Sequence, residues 1–448
     1  IDGDADGDGI GDVTVDAGGQ SRIFDVPEFT AETTLSGLAL TGGYTSGSGE
    51  VGGAVRSQAP LTILGSTFTD NATAGSFSPG GAVFAGSTGT VTISNSTFDG
   101  NSTAGVSSTG GGVYALGGLV VANSTLSGNA TTGNSADGGA IDVNGDLTVT
   151  GSTLVGNATS GENAEGGAIA GGGSVALTNS TVSGNSTAGT GAGGGGVAGL
   201  GFSGTDVTLA NSILLGNVAA AAGGDEIFLR ENNGGDLLLE GANIVGRDAA
   251  AFDTAGLANV ANADPAGVFA ATAETLVDAD GDGTPESAAG VAGGALADNG
   301  GPVETVLLGA AADNPALDAG DDALLPPDAR DLDGDADTAE PLPLDARGVA
   351  RLVDQPLLGA EGPGIVDLGA VELAEFDRAP VFDAGATATL AVEEDAGPVD
   401  IGALLAATEP NTADTLEWTV ETAPGSGTLA GFPASAASVS GSLAPEGL

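Results

Sequence analysis

Two stretches of the sequence carry carboxylates at a spacing suited to a hard cation. Asp4, Asp6, Asp8 and Asp12, with Gly9 among them, are matched by Asp278, Asp280, Asp282 and Glu286, with Gly283 among them. Acids at positions one, three, five and nine let several oxygens converge at short range, and the glycine at six allows the bend; this is calcium chemistry. Neither loop has the bidentate glutamate of a complete twelve-residue calcium loop, because Val15 and Ala289 stand at position twelve. Asp331, Asp333, Asp335 and Asp337 repeat the spacing without the glycine and form a weaker third candidate. The competing reading of all three is a solvated acidic loop in an acidic chain.

Composition removes other chemistries. Among 448 residues there is no His, Cys or Met, and the eight basic residues are all Arg. Cysteine nucleophiles, Ser-His-Asp triads and zinc sites built from Cys or His are therefore excluded. No disulfide can staple the fold. The formal net charge of −52 makes nucleic acid and anionic membrane surfaces poor partners, since a polyanion gains affinity from basic contacts. Such a charge suits solubility in high salt, binding of divalent cations or separation from other anions. The absence of lysine makes a halophilic origin attractive. No apolar run reaches the length of a membrane span. The chain opens on Ile1 and stops at Leu448 in mid-pattern, so it reads as a fragment of something longer, and the lack of Cys fits an exported protein.

The elements that must carry these loops are legible from a repeat of about 28 residues. Gly-Gly pairs recur at Gly52, Gly80, Gly110, Gly138, Gly166 and Gly194, each the first of its pair. After them come an aliphatic (Val55, Val83, Val113, Ile141, Ile169, Val197) and an alternating pair (Leu61/Ile63, Val91/Ile93, Leu119/Val121, Leu147/Val149, Val175/Leu177, Val207/Leu209). Phe68, Phe98, Leu126, Leu154, Val182 and Leu214 follow, and Asn71, Asn101, Asn129, Asn157, Asn185 and Asn217 close the units. Asn to the next Gly-Gly is nine residues, and the first apolar of each pair to the Asn is ten. Length varies in one corner only, from the post-glycine aliphatic to the next strand. That is the behaviour of stacked coils with one outward loop, because in-register strands cannot tolerate insertions. The period-2 alternation predicts strands with one buried face. Gly-Gly suits a sharp corner. The recurring Asn is expected to take a left-handed bend and to hydrogen-bond its equivalents above and below. The predicted fold is all-β, a parallel β-helix with rungs roughly 4.8 Å apart over residues 32–260, preceded by an acidic lead-in over 1–31.

Gly80-Gly81-Ala82-Val83 and Phe98-Asp99-Gly100-Asn101 resemble the repeat of polymorphic outer-membrane proteins. That resemblance implies a right-handed parallel β-helix on a cell surface, in keeping with the general hand of parallel crossovers. The acidic loops resemble thrombospondin type-3 and dockerin-like calcium loops. Beyond the repeat, Asn299-Gly300-Gly301-Pro302, Asn314-Pro315-Ala316-Leu317-Asp318-Ala319-Gly320, Asp345-Ala346-Arg347-Gly348-Val349-Ala350-Arg351 and Val366-Asp367-Leu368-Gly369-Ala370-Val371-Glu372 stand in order. This series is similar to the terminal region of choice-of-anchor Q proteins, exported proteins in which a β-helix precedes a surface-attachment signal. Residues 261–378 are accordingly expected to form terminal coils and a cap, with Arg347 and Arg351 paired to Asp345 or Asp367. Residues 379–448, with alternation at Ala386, Ala388, Leu390 and Val392, are similar to a cadherin-like or Ig-like sandwich module cut short.

Two weaker patterns compete with these. Asn-x-Ser/Thr triplets at Asn71, Asn95, Asn101, Asn123 and Asn129 fit glycosylation acceptors but arise from the repeat itself. Asp142 and Asp146 on one coil could form an acid pair of the kind that cleaves glycosidic bonds; exposed turn residues are the plainer reading. The sequence is therefore expected to specify a secreted or cell-surface structural or adhesive protein, calcium-stabilised and without catalytic activity. The alternative is a carbohydrate-active β-helix, a polysaccharide lyase or hydrolase acting on extracellular polysaccharide. No nucleic-acid partner and no membrane span are expected, and the adhesive target is left open.

Overall fold

The computed structural model describes residues 1–4, 12–28, 32–201, 205–220, 224–230, 235–246, 260–261, 263–277, 286–311, 313–328, 340–352 and 366–373, and five short strands beyond them. Two units are distinguished, residues 1–373 and 374–448.

The first unit contains a parallel β-solenoid whose coils contribute to four sheets. Sheet 1 stacks the strands that follow Gly-Gly, from Phe24–Val26 through Val83–Ala85 to Ile227–Leu229. Sheet 2 stacks the alternating strands, from Thr33–Ser36 through Val91–Ser94 to Leu237–Glu240. Sheet 3 runs from Val13–Asp16 through Thr97–Asp99 to Val260–Ala261. Sheet 4 holds two-residue strands from Tyr44–Thr45 to Val218–Ala219. Equivalent residues pair directly: Val83 with Val113, and Val113 with Ile141. Alternation puts one side of each strand inside, so Ile63, Ile93, Val121, Val149, Leu177 and Leu209 form one continuous buried row. Phe68 and Phe98 stack inside with ring centroids 4.5 Å apart. Stacking begins earlier than residue 32, since Val13–Asp16 pairs with Leu38–Thr41 and Phe24–Val26 with Val55–Ser57.

The closing asparagines form the expected ladder. The Nδ2 of Asn71 donates to Asn101 Oδ1 at 3.0 Å, and the series continues through Asn129, Asn157 and Asn185 to Asn217 at 2.8–2.9 Å. Each amide also bonds a backbone carbonyl of the preceding coil, as Asn129 does with Phe98 at 2.9 Å. The ladder stops at Glu226, which is 1% exposed and whose Oε2 accepts the Asn217 Nδ2 at 2.6 Å. The left-handed bend falls one residue earlier than expected, on Asp70, Gly100, Gly128, Gly156, Gly184 and Gly216. The Asn backbone is thereby turned so that its side chain points inward to its neighbours. Ladder membership also removes the glycosylation reading of Asn71, Asn101 and Asn129, whose side chains are buried and bonded.

A second, unforeseen ladder links Ser66, Ser96, Ser124, Ser152, Ser180 and Ser212, each hydroxyl accepting the backbone N–H of the previous member. Corner glycines are needed for closeness. A Cβ on Gly139 would lie 2.1 Å from the Gly167 carbonyl oxygen.

The described residues of the segment expected to cap the last rung lie along the flank of sheet 3. Outward residues there are exposed or half-buried at Thr67 and Thr97 but buried from Thr125 onward. Val155, Ile213 and Leu215 pack with Phe269, Val306, Leu308, Leu317, Leu368 and Val371 in a second apolar core. The Thr125 hydroxyl donates to the Glu304 carbonyl at 2.5 Å, and the Ala370 N–H donates to Thr181 Oγ1 at 3.1 Å. The flank includes the short helix Pro265–Val268 and an antiparallel hairpin of Thr272–Val277 with Glu286–Gly294. The second unit shows antiparallel pairs: Val381–Phe382 with Ala407–Glu409, the latter with Gly441–Leu443, and Thr415–Trp418 with Ala434–Ala437. The alternation at 386–392 lies outside the described residues.

Candidate functional site

Apolar columns fill the solenoid, so any chemistry belongs to its outward faces. Sheet 1 presents the most varied one. Register aligns Asp25, Arg56, Phe84, Tyr114, Asp142, Ala170, Ala198 and Phe228. Arg56 pairs with Asp25 at 2.8 Å. Phe84 and Tyr114 stack at 5.3 Å with planes 7° apart, so neighbouring coils cover each other's ring faces. Asn144 Nδ2 donates to the Tyr114 hydroxyl at 3.0 Å.

Asp142 is half-buried in this row. Burial pushes its carboxyl up to about 7, the Thr109 hydrogen bond opposes the shift, and the charge of Asp137 adds to it. Burial likewise raises Asp137 to about 6, although its Oδ1 accepts the Glu165 N–H at 2.8 Å. Glu165, 7% exposed, bridges to Arg230 at 2.5 Å. The acidic neighbour of Asp142 is thus Asp137 from the preceding corner. Asp146 stands apart in the outward loop, its Oδ1 accepting the Ser174 N–H at 3.0 Å. A pair of carboxyls poised near neutrality can exchange protons with a ligand.

Both acidic loops are closed at the base in the same way. The Gly3 carbonyl accepts the Asp12 N–H at 3.1 Å, so the residue before position one holds position nine. In the second loop Val277 pairs with Glu286 across the hairpin, again joining the residue before position one to position nine. Asp6, Asp8, Asp278, Asp280 and Asp282, with Asp331, Asp333 and Asp335, lie outside the described residues, as does the Glu286 side chain.

The four motifs after the repeat converge. Asp345 takes the Arg347 guanidinium at 2.7–2.9 Å and the Glu372 N–H at 2.9 Å, so the expected Arg347–Asp345 pair is present. Asp367 accepts N–H groups from Asp318 at 2.8 Å and Leu373 at 2.7 Å. Burial pushes Asp367 up to about 7, against those two hydrogen bonds, and the Asp318 charge adds to the rise while Arg351 opposes it. Arg351 is fully buried and donates to the carbonyls of Gly369 and Ala370 at 3.4 and 3.1 Å. Burial lowers its pKa, with Asp345, Glu372 and Asp367 opposing. A Cβ on Gly151 would stand 3.2 Å from Arg351 Nη2, so a bare corner of the solenoid receives this guanidinium. Gly301 sits tighter still, with a would-be Cβ only 2.4 Å from Arg347 Cα. The arrangement locks the flank in place.

Compared with known proteins, the chain matches no family model, no curated protein and no solved structure. Among the described residues no helix is long and apolar enough to cross a membrane.

Proposed function

We propose that the chain is part of a secreted or cell-surface scaffold: a right-handed, calcium-stabilised β-helical stalk of the choice-of-anchor Q type, non-catalytic and adhesive, leading into a cadherin-like module. The observation that carries this reading is the buried amide column, continuous from Asn71 to Asn217 and paralleled by apolar rows on the other sheets. Residues placed in such columns serve stacking, which favours stiffness and extension over a shaped reaction site. Antiparallel strands in residues 381–443 support the sandwich-type module. The common closure of the two acidic loops supports calcium, since position nine is brought to the loop entrance in both. Calorimetric titration of the intact chain should show saturable calcium binding and a higher melting temperature with calcium than with a chelator. No heat of binding at millimolar calcium removes the metal from the proposal.

A second reading rests on Asp137 and Asp142, whose raised pKa values suit an acid catalyst acting on glycosidic bonds. It predicts release of reducing or unsaturated sugars from an extracellular polysaccharide. Inactivity across a broad polysaccharide panel would retire it.

A further inference from the structure

Charge is spread unevenly along this chain. It is 15% charged, yet residues 71–136 contain a single charged side chain, Asp99. Those residues build two successive coils, one carrying Val83–Ala85 in sheet 1 and the next carrying Val113–Ala115. Asp99 belongs to sheet 3, where its Oδ1 accepts the Ser127 hydroxyl at 2.7 Å. The sheet 1 side of both coils is therefore uncharged. Register sets Arg56 immediately below it and Asp142 immediately above.

The same side carries three large apolar residues open to solvent: Phe77 at 65%, Val106 at 49% and Leu116 at 40%. Phe77 and Val106 are neighbours at the corner before sheet 1, joined by the Phe77 N–H to the Val106 carbonyl at 3.0 Å. The stacked Phe84 and Tyr114 lie between that corner and Leu116. Beside Phe84 the chain is bare at Gly86. A Cβ there would meet Phe84 Cε1 at 2.8 Å and Gln58 Oε1 and Nε2 at 2.7 and 2.9 Å, so an amide lies against the ring. That amide has no hydrogen-bond partner among the described residues.

Three kinds of partner do not fit this band. A peptide strand needs an open backbone edge, and Val83–Ala85 is already paired with Val55–Ser57 on one side and Val113–Ala115 on the other. A folded protein gives roughly 800 Å² to a stable interface, whereas a band two rungs high and ten extended residues wide offers no more than about 350 Å². An anionic polymer is repelled by the net charge of −52. We propose that the band binds a single chain of neutral polysaccharide, laid across sheet 1 from the Phe77 corner to Leu116. Such a chain is slender and needs no counter-charge. Its C–H faces and hydroxyls match an apolar floor with an amide at the rim. The inference rests on the adhesive reading above and gives it a target class; the calcium titration tests the stalk and not this band, so the two can fail separately.

The probes are soluble polysaccharides in affinity electrophoresis of the intact chain: hydroxyethylcellulose, laminarin, galactomannan and starch as neutral polymers, polygalacturonate and alginate as acidic ones. Saturable retardation by at least one neutral polymer is expected, and none by the acidic pair. Phe77→Asn, which the left-handed backbone at φ +56 accepts, should weaken binding about tenfold. Leu116→Asp should abolish it, while Leu238→Asp, similarly exposed at 44% but outside the band, leaves it unchanged. Melting curves like that of the parent show that the variants are folded; if Leu116→Asp is not, Val106→Asp serves with the same expectation. Retardation by no neutral polymer, or retardation indifferent to both Phe77→Asn and the charge variant, would overturn the proposal. Equal retardation by polygalacturonate would overturn it as well. Self-association of the chain alone that is lost in Phe77→Asn, without retardation by any polymer, would assign the band to a second copy of the chain instead.

Discussion

Asn129 shows how much a single side chain holds. Its amide donates to Phe98 and to Asn157, and its Oδ1 accepts from both the Nδ2 and the backbone N–H of Asn101. Asn129→Ala would strand several of these groups in a dry interior, at about 1–3 kcal/mol for each one left unsatisfied. A loss of about 3 kcal/mol or more in urea denaturation is expected, against a loss within about 0.5 kcal/mol for the exposed Asn144→Ala. A ladder variant as mild as the surface one would show that the column is not a principal support. Glycines divide in the same way. Gly156 has φ +66 but nothing within 4 Å of a would-be Cβ, so Gly156→Ala should cost about 1 kcal/mol of backbone strain. Gly139→Ala would drive a methyl into the Gly167 carbonyl and should reduce soluble, folded protein sharply. Equal behaviour of the two variants in thermal melts would contradict the close stacking of that corner.

Among the elements, the outward loop between sheets 1 and 2 is the place where length can change. Residues 86–90 already span two residues more than the equivalent loop one rung higher. Two further glycines there should cost under about 1 kcal/mol, in line with the weak length dependence of loop closure. The same insertion between Asn129 and Gly138 would displace Gly133, whose would-be Cβ lies 1.9 Å from the Gly105 carbonyl oxygen; a loss of about 3–5 kcal/mol is expected. Comparable denaturation midpoints for the two insertions would count against the assignment of corners. These elements were legible because stacking demands equal spacing, and equal spacing is visible in one dimension. Val83, Val113 and Ile141 could be aligned by counting alone. The serine ladder was hidden because Ser96, Ser124 and Ser180 fall in Asn-Ser-Thr triplets that looked like acceptor sites, while Ser66 and Ser152 follow glycine. The covered flank of sheet 3 was hidden because Val155, Ile213 and Leu215 alternate no differently from residues on an open face. Asp137 lies five residues before Asp142 across a glycine corner, so no strand periodicity links them. The acid pair suggested by sequence, Asp142 with Asp146, shared a coil but not a face.

For the whole molecule, the raised carboxyls set a direction for pH. An unfolded Asp ionises near 3.8, whereas Asp137, Asp142 and Asp367 in the folded chain hold their protons to about 6, 7 and 7. Between those limits the folded state binds more protons than the unfolded one, so stability is greatest below about pH 4 for these groups and is lost as pH rises through 6 and 7. Each contributes roughly 2 kcal/mol after allowance for solvent screening. Repulsion within a chain of net charge −52 acts with the same sign. The denaturation midpoint should therefore climb as pH falls from 8 to 5, and Asp142→Asn should flatten part of that slope. A midpoint that climbs with pH would place these carboxyls in water.

Glu226, at the far end of the asparagine ladder, gives the solenoid a polarity. Each side-chain amide accepts at Oδ1 from the earlier coil and sends one N–H to the later one, the other N–H going back to a carbonyl of the preceding coil, so the amide dipoles share a component along the stack. The positive pole of that array falls on Asn217, where the Glu226 carboxylate receives it. An anionic end group of this kind neutralises the pole and leaves no amide donor projecting from it. The column thus ends inside the molecule, on a carboxyl that also accepts the backbone N–H groups of Gly216 and Asn217 at 3.1 and 3.3 Å, and the coils beyond it stack without an amide ladder to guide them.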